Sequence, residues 1–462
     1  MPVNKPQFTI SERKLFLRLF DVVFAVLGIV SLSYIFDFHY FKIEPSTFTK
    51  YIVVLSMYIL LFGQIFEMYN LRVANNRYLI LRSTLLTGVL TTLFYVFTPI
   101  LTPELPENRI QILYFFLGIT IPIYIWRTLY ILLIFSPVFF NRILIISSSK
   151  ENILKLINLI HKSAPENKIV GYISPEKIDG LSFQYYNNKE LELADVIKNG
   201  HTTEVVIDSF ESSNFISSFT PQLISLFKKS YKISSFEKFI SSITNRVPKA
   251  YLNENFYNYI SFSKSQENRI YLLLHRIFDV VGSFMGLLFL LILIPFIFLG
   301  NLVGNRGALF YLQERVGKAG ANFKIIKFRT MIKNAENGEA VWAVKDDARV
   351  TKFGKFLRRT RLDEVPQFIN IFKGDMSIIG PRPERPEFVE ELSENFPFYT
   401  IRNVIKPGLT GWAQVEYPYA STKQEQYIKL RYDLYYIKER SLLMDFKIII
   451  KTVSTVLFFR GT

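Results

Sequence analysis

Five runs of apolar residues govern what this chain can become. Four lie in the first third, at about 19–36, 51–66, 79–100 and 110–134, and the fifth is "IFDVVGSFMGLLFLLILIPFIFLG" at 277–300. A helix needs about 20 mostly apolar residues to cross a bilayer. In lipid its backbone must satisfy its own hydrogen bonds, which is why such runs read as helices. The second run is the shortest. The first is followed by "DFHYF" rather than a small-residue cleavage site, so it reads as a retained segment and not a cleaved signal peptide.

Lys and Arg in short loops set the orientation of such helices. Lys5, Arg13, Lys14 and Arg18 precede the first run, and Arg72, Arg77 and Arg82 separate the second from the third. Both sides read as cytoplasmic. The acidic loop "TPELPEN" reads as external, and the fourth run returns to the cytoplasm near Arg142. Arg127 lies near the cytoplasmic end of that run, where its long side chain is expected to snorkel to the interface.

Half the residues are hydrophobic while the net charge is +16. That combination suits a membrane protein whose basic face meets anionic lipid. Nucleic acid is not expected as a partner, because no helix-turn-helix, zinc-finger or RNA-binding signature is present. The chain has no cysteine, which excludes disulfides and thiol chemistry. Its four histidines (His39, His161, His201, His275) show no metal-ligand spacing. Catalysis must then rest on carboxylates and cations.

At 462 residues the chain is too long for one ordinary domain. From 142 onward "RILIISSS", "KENILKLINLIHK", "KIVGYIS", "TEVVIDSF" and "PQLISLFKKS" alternate strand and helix patterns, which predicts a parallel sheet. The opening resembles a dinucleotide-binding fold. Ser147, Ser148 and Ser149 stand where glycines would let a pyrophosphate approach. A Tyr-x-x-x-Lys pair, Tyr185 and Lys189, falls in the polar loop "QYYNNKE", where chance explains it better than catalysis. The unit reads as a folded spacer or regulatory module.

The fifth run conflicts with its flanks. Lys264, Arg269, His275 and Arg276 precede it, and Arg306, Arg315, Lys318, Lys324, Lys327 and Arg329 follow it. Both sides read as cytoplasmic. Pro295 removes a backbone hydrogen bond, so a helix broken there could enter the inner leaflet and leave on the same side. Such a shape needs its freed backbone groups satisfied, and Ser283 is a candidate helper. An ordinary kinked span is the alternative.

Beyond 305 the charge density rises. Lys352, Lys355, Arg358, Arg359 and Arg361 lead into Asp363-Glu364 within "RRTRLDEVPQF". One reading is a capping box from Thr360 to Asp363, although Pro366 would then fall inside the helix. The other is a phosphate-handling site. "GPRPERP" favours the second: Gly380 frees the backbone, Pro381 and Pro383 stiffen it, and Arg382 and Arg385 are presented as forks for phosphate oxygens. A rigid surface turn is the plainer reading of the same loop. The C-terminal stretch from 425 mixes aromatic, cationic and aliphatic residues and suits either interfacial or buried core helices.

Together "QERVG", "KFRTM", "LDEVPQFINIFKGDMSIIGPRP" and "KPGLTGWAQV" resemble the bacterial sugar transferase family, the monotopic phosphoglycosyl transferases, over about 270–462. Val365 stands where that family often has Leu, a conservative change. The resemblance implies four transmembrane helices (1–140), a degenerate Rossmann-like domain (141–262) and an α-rich catalytic domain (263–462) with a re-entrant helix at about 272–304. It implies transfer of a sugar 1-phosphate from a UDP-sugar to polyprenyl phosphate, with UMP released. Asp363 matches the family nucleophile, which forms a covalent aspartyl-phosphosugar. Glu364 matches the residue that assists metal binding or proton handling, and the metal is Mg2+ held by the pair.

Lys327, Arg329, Arg361, Pro381, Arg382 and Arg385 are expected to bind substrate. The implied setting is a bacterial inner membrane, with the catalytic part on the cytoplasmic face beside other polysaccharide-assembly enzymes. A homodimer is compatible with the subclass. A catalytically inactive scaffold and a membrane-bound nucleotide-sugar dehydratase are the competing functions. The intact acid pair speaks against the first and the missing glycines against the second.

Overall fold

A computed structural model describes residues 10–36, 40, 45–69, 77–98, 100–106, 108–133, 141–164, 167–187, 192–208, 214–252, 268–332, 347–417 and 422–457. The chain divides into two compact units, Met1–Ser234 and Ser235–Thr462.

The first unit opens with four long helices: α1 (Ile10–Ile35), α2 (Pro45–Ile65), α3 (Arg77–Val96) and α4 (Ile110–Leu133). Each contains a segment long and apolar enough to cross a membrane. α4 packs on both α1 and α3, and α3 packs on α2. The Trp126 ring lies against Phe20 and Phe24, with centroids 4.7 and 5.2 Å away.

Arg127 does not snorkel. It is 1% exposed. Its Nε donates to Asp21 Oδ1 at 2.9 Å, its Nη2 to Asp21 Oδ2, and its Nη1 to the Met68 carbonyl at 2.7 Å. A charge among apolar helices is stabilised by an opposite charge within the bundle, and Asp21, also inside an apolar run, provides it.

The α/β part follows as β1 (Asn141–Ile146), α5 (Lys150–Ser163), β2 (Asn167–Ile173), β3 (Gln184–Tyr186), α6 (Leu193–Gly200), β4 (Glu204–Ile207), α7 (Asn214–Ser218), α8 (Thr220–Lys228) and β5 (Lys232–Ser235). The sheet order is β3-β2-β1-β4-β5, with β1 parallel to both β2 and β4. This is the strand order of a doubly wound nucleotide fold, whose ligand crevice lies where the order reverses. Here Asp208 sits at that point, accepting from Ser147 Oγ at 2.8 Å and Asn152 Nδ2 at 2.9 Å. Ser149 caps α5 instead of opening its head to a ligand. A carboxylate held at a helix head repels the phosphate that such a position would otherwise attract. Tyr185 lies in β3, its hydroxyl 3.4 Å from the Ser174 carbonyl, and Lys189 lies outside the described residues.

The second unit contains α9 (Phe236–Thr244), α10 (Arg269–Gly304), β6 (Phe310–Val316), β7 (Asn322–Phe328), α11 (Lys352–Arg359), α12 (Phe368–Lys373), β8 (Ser377–Ile379), α13 (Pro386–Asn395), β9 (Gly408–Thr410), α14 (Trp412–Glu416), α15 (Lys423–Glu439) and α16 (Leu442–Leu457). Helical turns of 3-10 type cover Leu362–Gln367 and Tyr399–Val404. Its core joins Ile379, Leu392, Tyr399, Trp412, Leu430, Leu434 and Ile448. Of the two C-terminal helices, α15 is a core helix, while α16 buries Ile448 and exposes Leu442, Leu443 and Phe446.

α10 runs through Pro295 without interruption, so the expected break is a proline within a continuous helix. A proline inside a continuous helix removes one hydrogen bond and is a usual place for the helix to bend. Ser283 donates to the Val280 carbonyl, well before the proline, and does not serve the groups freed there. One stripe of α10 is buried: Tyr271, His275, Asp279, Ser283, Gly286, Leu290, Ile297 and Asn301. Asp279 Oδ1 accepts from Ser377 Oγ at 2.9 Å and the Ile378 amide at 2.8 Å. At the far end Asn301 Nδ2 donates to the Gly307 carbonyl and Asn305 Nδ2 to the Arg329 carbonyl, both at 2.7 Å. Midway, Phe368 packs so closely that a Cβ on Gly286 would lie 2.4 Å from its ring. Phe289, Leu291, Ile292, Phe296 and Leu299 on the other side are exposed.

Candidate active site

The acid pair sits on the 3-10 turn Leu362–Gln367, delivered by α11. Thr351 caps α11, its Oγ1 accepting from the Gly354 amide at 2.8 Å. Thr360 does not open a capping box with Asp363. It ends α11, and its hydroxyl donates back to the Phe356 carbonyl at 2.9 Å. The reason is Arg361, whose φ of 60° stops the helix and turns the chain. A non-glycine residue in that region carries strain of a kind that gathers at functional sites. Pro366 is accommodated inside the short turn.

Asp363 and Glu364 are both buried, each 8% exposed. Glu364 takes the cations: Arg382 Nη2 at 2.9 Å, Arg361 Nη1 at 3.7 Å and Lys327 Nζ at 3.9 Å. Asp363 Oδ1 is buried with no hydrogen-bond partner. Their protonation is pushed apart. Burial raises the Asp363 pKa, and neighbouring Glu364 adds to it, against Lys327, Arg358 and Arg361. Burial also acts on Glu364, but Arg382, Lys327 and Arg361 together outweigh it and hold that carboxyl below its usual range. Burial, reinforced by Arg382, lowers Lys327 to about 8 although Glu364 opposes the shift.

Arg382 reaches the pair from a braced loop. β8 and β9 pair in parallel, and the Gly380 amide donates to the Thr410 carbonyl at 2.9 Å. The two backbones approach so closely that a Cβ on Gly408 would lie 2.0 Å from the Gly380 nitrogen. Glycine is required there because no other residue lacks that atom. This explains why "GPRP" and "KPGLTG" occur together.

The structure brings Lys327, Arg361 and Arg382 to the acids. Pro381 serves through its backbone, its carbonyl accepting from the Gly408 amide at 2.8 Å. Arg329 is not gathered in. Its Nε donates to the Ala308 carbonyl at 3.2 Å. Arg385 lies at the head of α13, 3.4 Å from Glu387 and over the Phe388 ring. Arg329 follows two residues after Lys327, just past the end of β7, and Arg385 three residues after Arg382, at the start of α13.

Sequence reading missed Arg315, Arg402 and Asp433. Arg315 Nη1 donates to the Pro383 carbonyl at 3.2 Å and lies 3.7 Å from Glu384. Arg402 Nη2 donates to the Arg382 carbonyl at 2.9 Å and to Asp433 Oδ2 at 2.8 Å. The available signal was Asp433 itself, a carboxylate spaced with Leu430, Tyr436 and Ile437 on the face of a helix that must be buried.

Among the described residues no group of three or more acidic, histidine or cysteine side chains could hold a metal ion. Mg2+, however, commonly takes one or two carboxylates together with substrate phosphates. The adjacent buried carboxylates of Asp363 and Glu364 fit an ion that arrives with a diphosphate.

The fold is thus that of a membrane-associated protein in which a buried acid pair, one member of it held by three cations, sits on a body docked along a membrane-length helix. The sequence pattern of the bacterial sugar transferase family matches residues 270–459. A UDP-N-acetylgalactosamine-undecaprenyl-phosphate N-acetylgalactosaminephosphotransferase of Aeromonas hydrophila is 47% identical over 153 residues, which is 33% of this chain and 36% of that protein. A UDP-glucose:undecaprenyl-phosphate glucose-1-phosphate transferase of Escherichia coli is 40% identical over 184 residues, 39% of each chain. The protein of that name from Caulobacter vibrioides is 35% identical over 187 residues, 39% of this chain and 69% of its own length. The chain thus spans well under half of the first two relatives and about two thirds of the third. It belongs to the bacterial sugar transferase family.

Proposed function

We propose that this protein transfers a sugar 1-phosphate from a UDP-sugar to polyprenyl phosphate and releases UMP, with Asp363 as the nucleophile. The observation that carries this reading is the open Asp363 Oδ1 beside a neighbour that has taken the cations. A carboxylate can attack phosphorus. Asp363 Oδ1 bonds to the β-phosphorus of the donor, and the bond from that phosphorus to the bridging oxygen breaks, so UMP leaves. An oxygen of the lipid phosphate then attacks the same phosphorus and frees Asp363. The product is a polyprenyl diphosphate sugar, the first intermediate of an exopolysaccharide or O-antigen unit.

Attack by an anion on an anion needs charge neutralisation. Arg382, Arg361 and Lys327 supply it from the protein. Asp363 and Glu364 would hold a Mg2+ ion, which adds neutralisation at the diphosphate when bound. Arg382 already lies on Glu364, so Glu364 also keeps that guanidinium in place while Asp363 reacts.

The same reading assigns α10 to one side of the membrane, as a re-entrant helix under a catalytic body on the cytoplasmic face. Its support is that polar residues in the first third of α10 and at its C-terminus, Asp279 and Asn305, bond to the same compact body, while its other face is apolar and exposed. A straight span would pull that body into lipid, where unsatisfied polar groups are costly. Cysteine is absent from the chain, so Arg269→Cys and Lys318→Cys each create a single label site. An impermeant maleimide should react with both only in inverted vesicles. Labelling of one of them from outside intact cells would overturn the arrangement.

The function is tested by UMP release from the purified protein with Mg2+, undecaprenyl phosphate and a panel of UDP-sugars. UDP-N-acetylgalactosamine and UDP-glucose, the donors in the relatives' names, head the panel. Lipid-dependent UMP release is expected with one donor. Release of UDP instead would mean ordinary glycosyl transfer and would defeat the mechanism.

A further inference from the structure

The loop that presents Arg382 has four successive carbonyls, each bound by a donor from elsewhere. Pro381 O accepts from the Gly408 amide at 2.8 Å, and Glu384 O from the Val316 amide at 2.9 Å. Between them, Arg382 O accepts from Arg402 Nη2 at 2.9 Å and Pro383 O from Arg315 Nη1 at 3.2 Å. Loop carbonyls ordinarily face water. Here a run of four is held, and the two central anchors are guanidinium groups.

Arg402 is the anchor nearest the chemistry, because it holds the carbonyl of the residue whose side chain meets Glu364. It is 5% exposed. Its Nη1 donates to the Tyr399 hydroxyl at 2.7 Å, and its Nη2 also donates to Asp433 Oδ2 at 2.8 Å. Glu384 Oε1 lies 4.0 Å away. A buried guanidinium is strongly destabilising unless paired, and Asp433 on α15 supplies the pair. Arg402 bonds to neither Asp363 nor Glu364. Its ion partners are Asp433 and Glu384. Any influence on the acids runs through Arg382.

We propose that Arg402, held by Asp433, is a positioning residue that fixes the Arg382 backbone and thereby aims its guanidinium at Glu364 and at the donor's phosphate. The assignment rests on the transfer reaction argued above. Arginine suits the task because its planar fork reaches a carbonyl and a carboxylate at once, whereas lysine is a point charge with one direction. Fixing the backbone matters because small misplacements of a catalytic group cost large factors in rate: a 1 Å error costs about a hundredfold.

The test is a double-mutant cycle on UMP release in the full-length protein, using Arg382→Ala, Arg402→Ala and the pair. Arg402→Ala should lower the rate about tenfold to a hundredfold, and the double variant should fall no further than Arg382→Ala alone. Added guanidinium ion should restore part of the rate to Arg402→Ala and none to the double variant. A residue that merely supports the fold would give losses that multiply, and so would overturn the proposal, as would wild-type rates in Arg402→Ala. If Arg402→Ala does not fold, Arg402→Lys enters the same cycle with the same expected non-additivity. Wild-type protein runs alongside. If it releases no UMP from any donor, the transferase reading fails and takes this assignment with it, whereas multiplying losses in an active enzyme sink the positioning role alone.

Discussion

Asp21 and Asp363 are both buried carboxylates with arginines at hand, one in each unit, and they are treated in opposite ways. Asp21 gives both oxygens to Arg127, which also bonds the Met68 carbonyl and lies over the Tyr69 ring. Every strong contact there is internal. At the second site the cations go to Glu364, and Asp363 keeps an oxygen with no partner. A buried acceptor left unbonded costs about 1–3 kcal/mol, more when charged. The first cluster spends its charges on holding α1 to α4. The second leaves one carboxylate oxygen unbonded.

That contrast can be broken by substitution. Asp363→Asn should lower UMP release by at least about a thousandfold, as loss of a nucleophile does, while the melting temperature holds or rises because a buried charge is gone. Retained transfer would remove Asp363 from the role. Asp21→Asn should do the reverse and cost about 3–5 kcal/mol of stability, since it strands a buried arginine. Unfolding followed by circular dichroism in detergent measures it, and Asp21→Asn with Arg127→Met should recover much of the loss. Equal stability of the single variant and wild type would end the comparison.

Smaller effects sharpen it. Arg382→Ala should slow transfer about a hundredfold, in the range found when one preorganised charge-stabilising donor is removed, and kinetics across the donor panel would report it. Glu364 offers a pH test. Its folded pKa lies below the unfolded one, so its stabilising contribution is present above the ordinary carboxylate range and is lost as pH falls through the lower folded value. Melting temperature should therefore decline on acidification below that range, and Glu364→Gln should decline less steeply. Parallel curves would show that the cations around Glu364 contribute no linked stability.

Much of the fold was legible because apolar length and strand-helix alternation are local properties. The run near 110–134 became α4 almost to the residue, the run near 19–36 became the apolar part of α1, which starts at Ile10, and "RILIISSS" became β1 followed by Ser149 as the cap of α5. The short strands β3 and β5 were not legible, since three or four residues carry no period to read. At the site, Lys327, Arg361 and Arg382 could be picked from their motifs and lie against Glu364, while Arg329 bonds the Ala308 carbonyl and Arg385 lies beside Glu387, a difference that spacing of two or three residues in a motif does not reveal. The Arg127–Asp21 pair was hidden by distance in sequence, although a carboxylate within an apolar run was a visible sign that a partner must exist.

By itself the sequence determined the five apolar helices, the alternation of the α/β segment and the residue types able to do chemistry, because periodicity, length and charge act over a few residues. Only the tertiary structure decided which charges meet. It brought Arg402 and Asp433 under the Arg382 loop, closed the nucleotide-fold crevice with Asp208, and gave the cations to Glu364 while leaving Asp363 open. Those pairings join residues tens of positions apart, and their energies depend on burial and distance, which no local pattern carries.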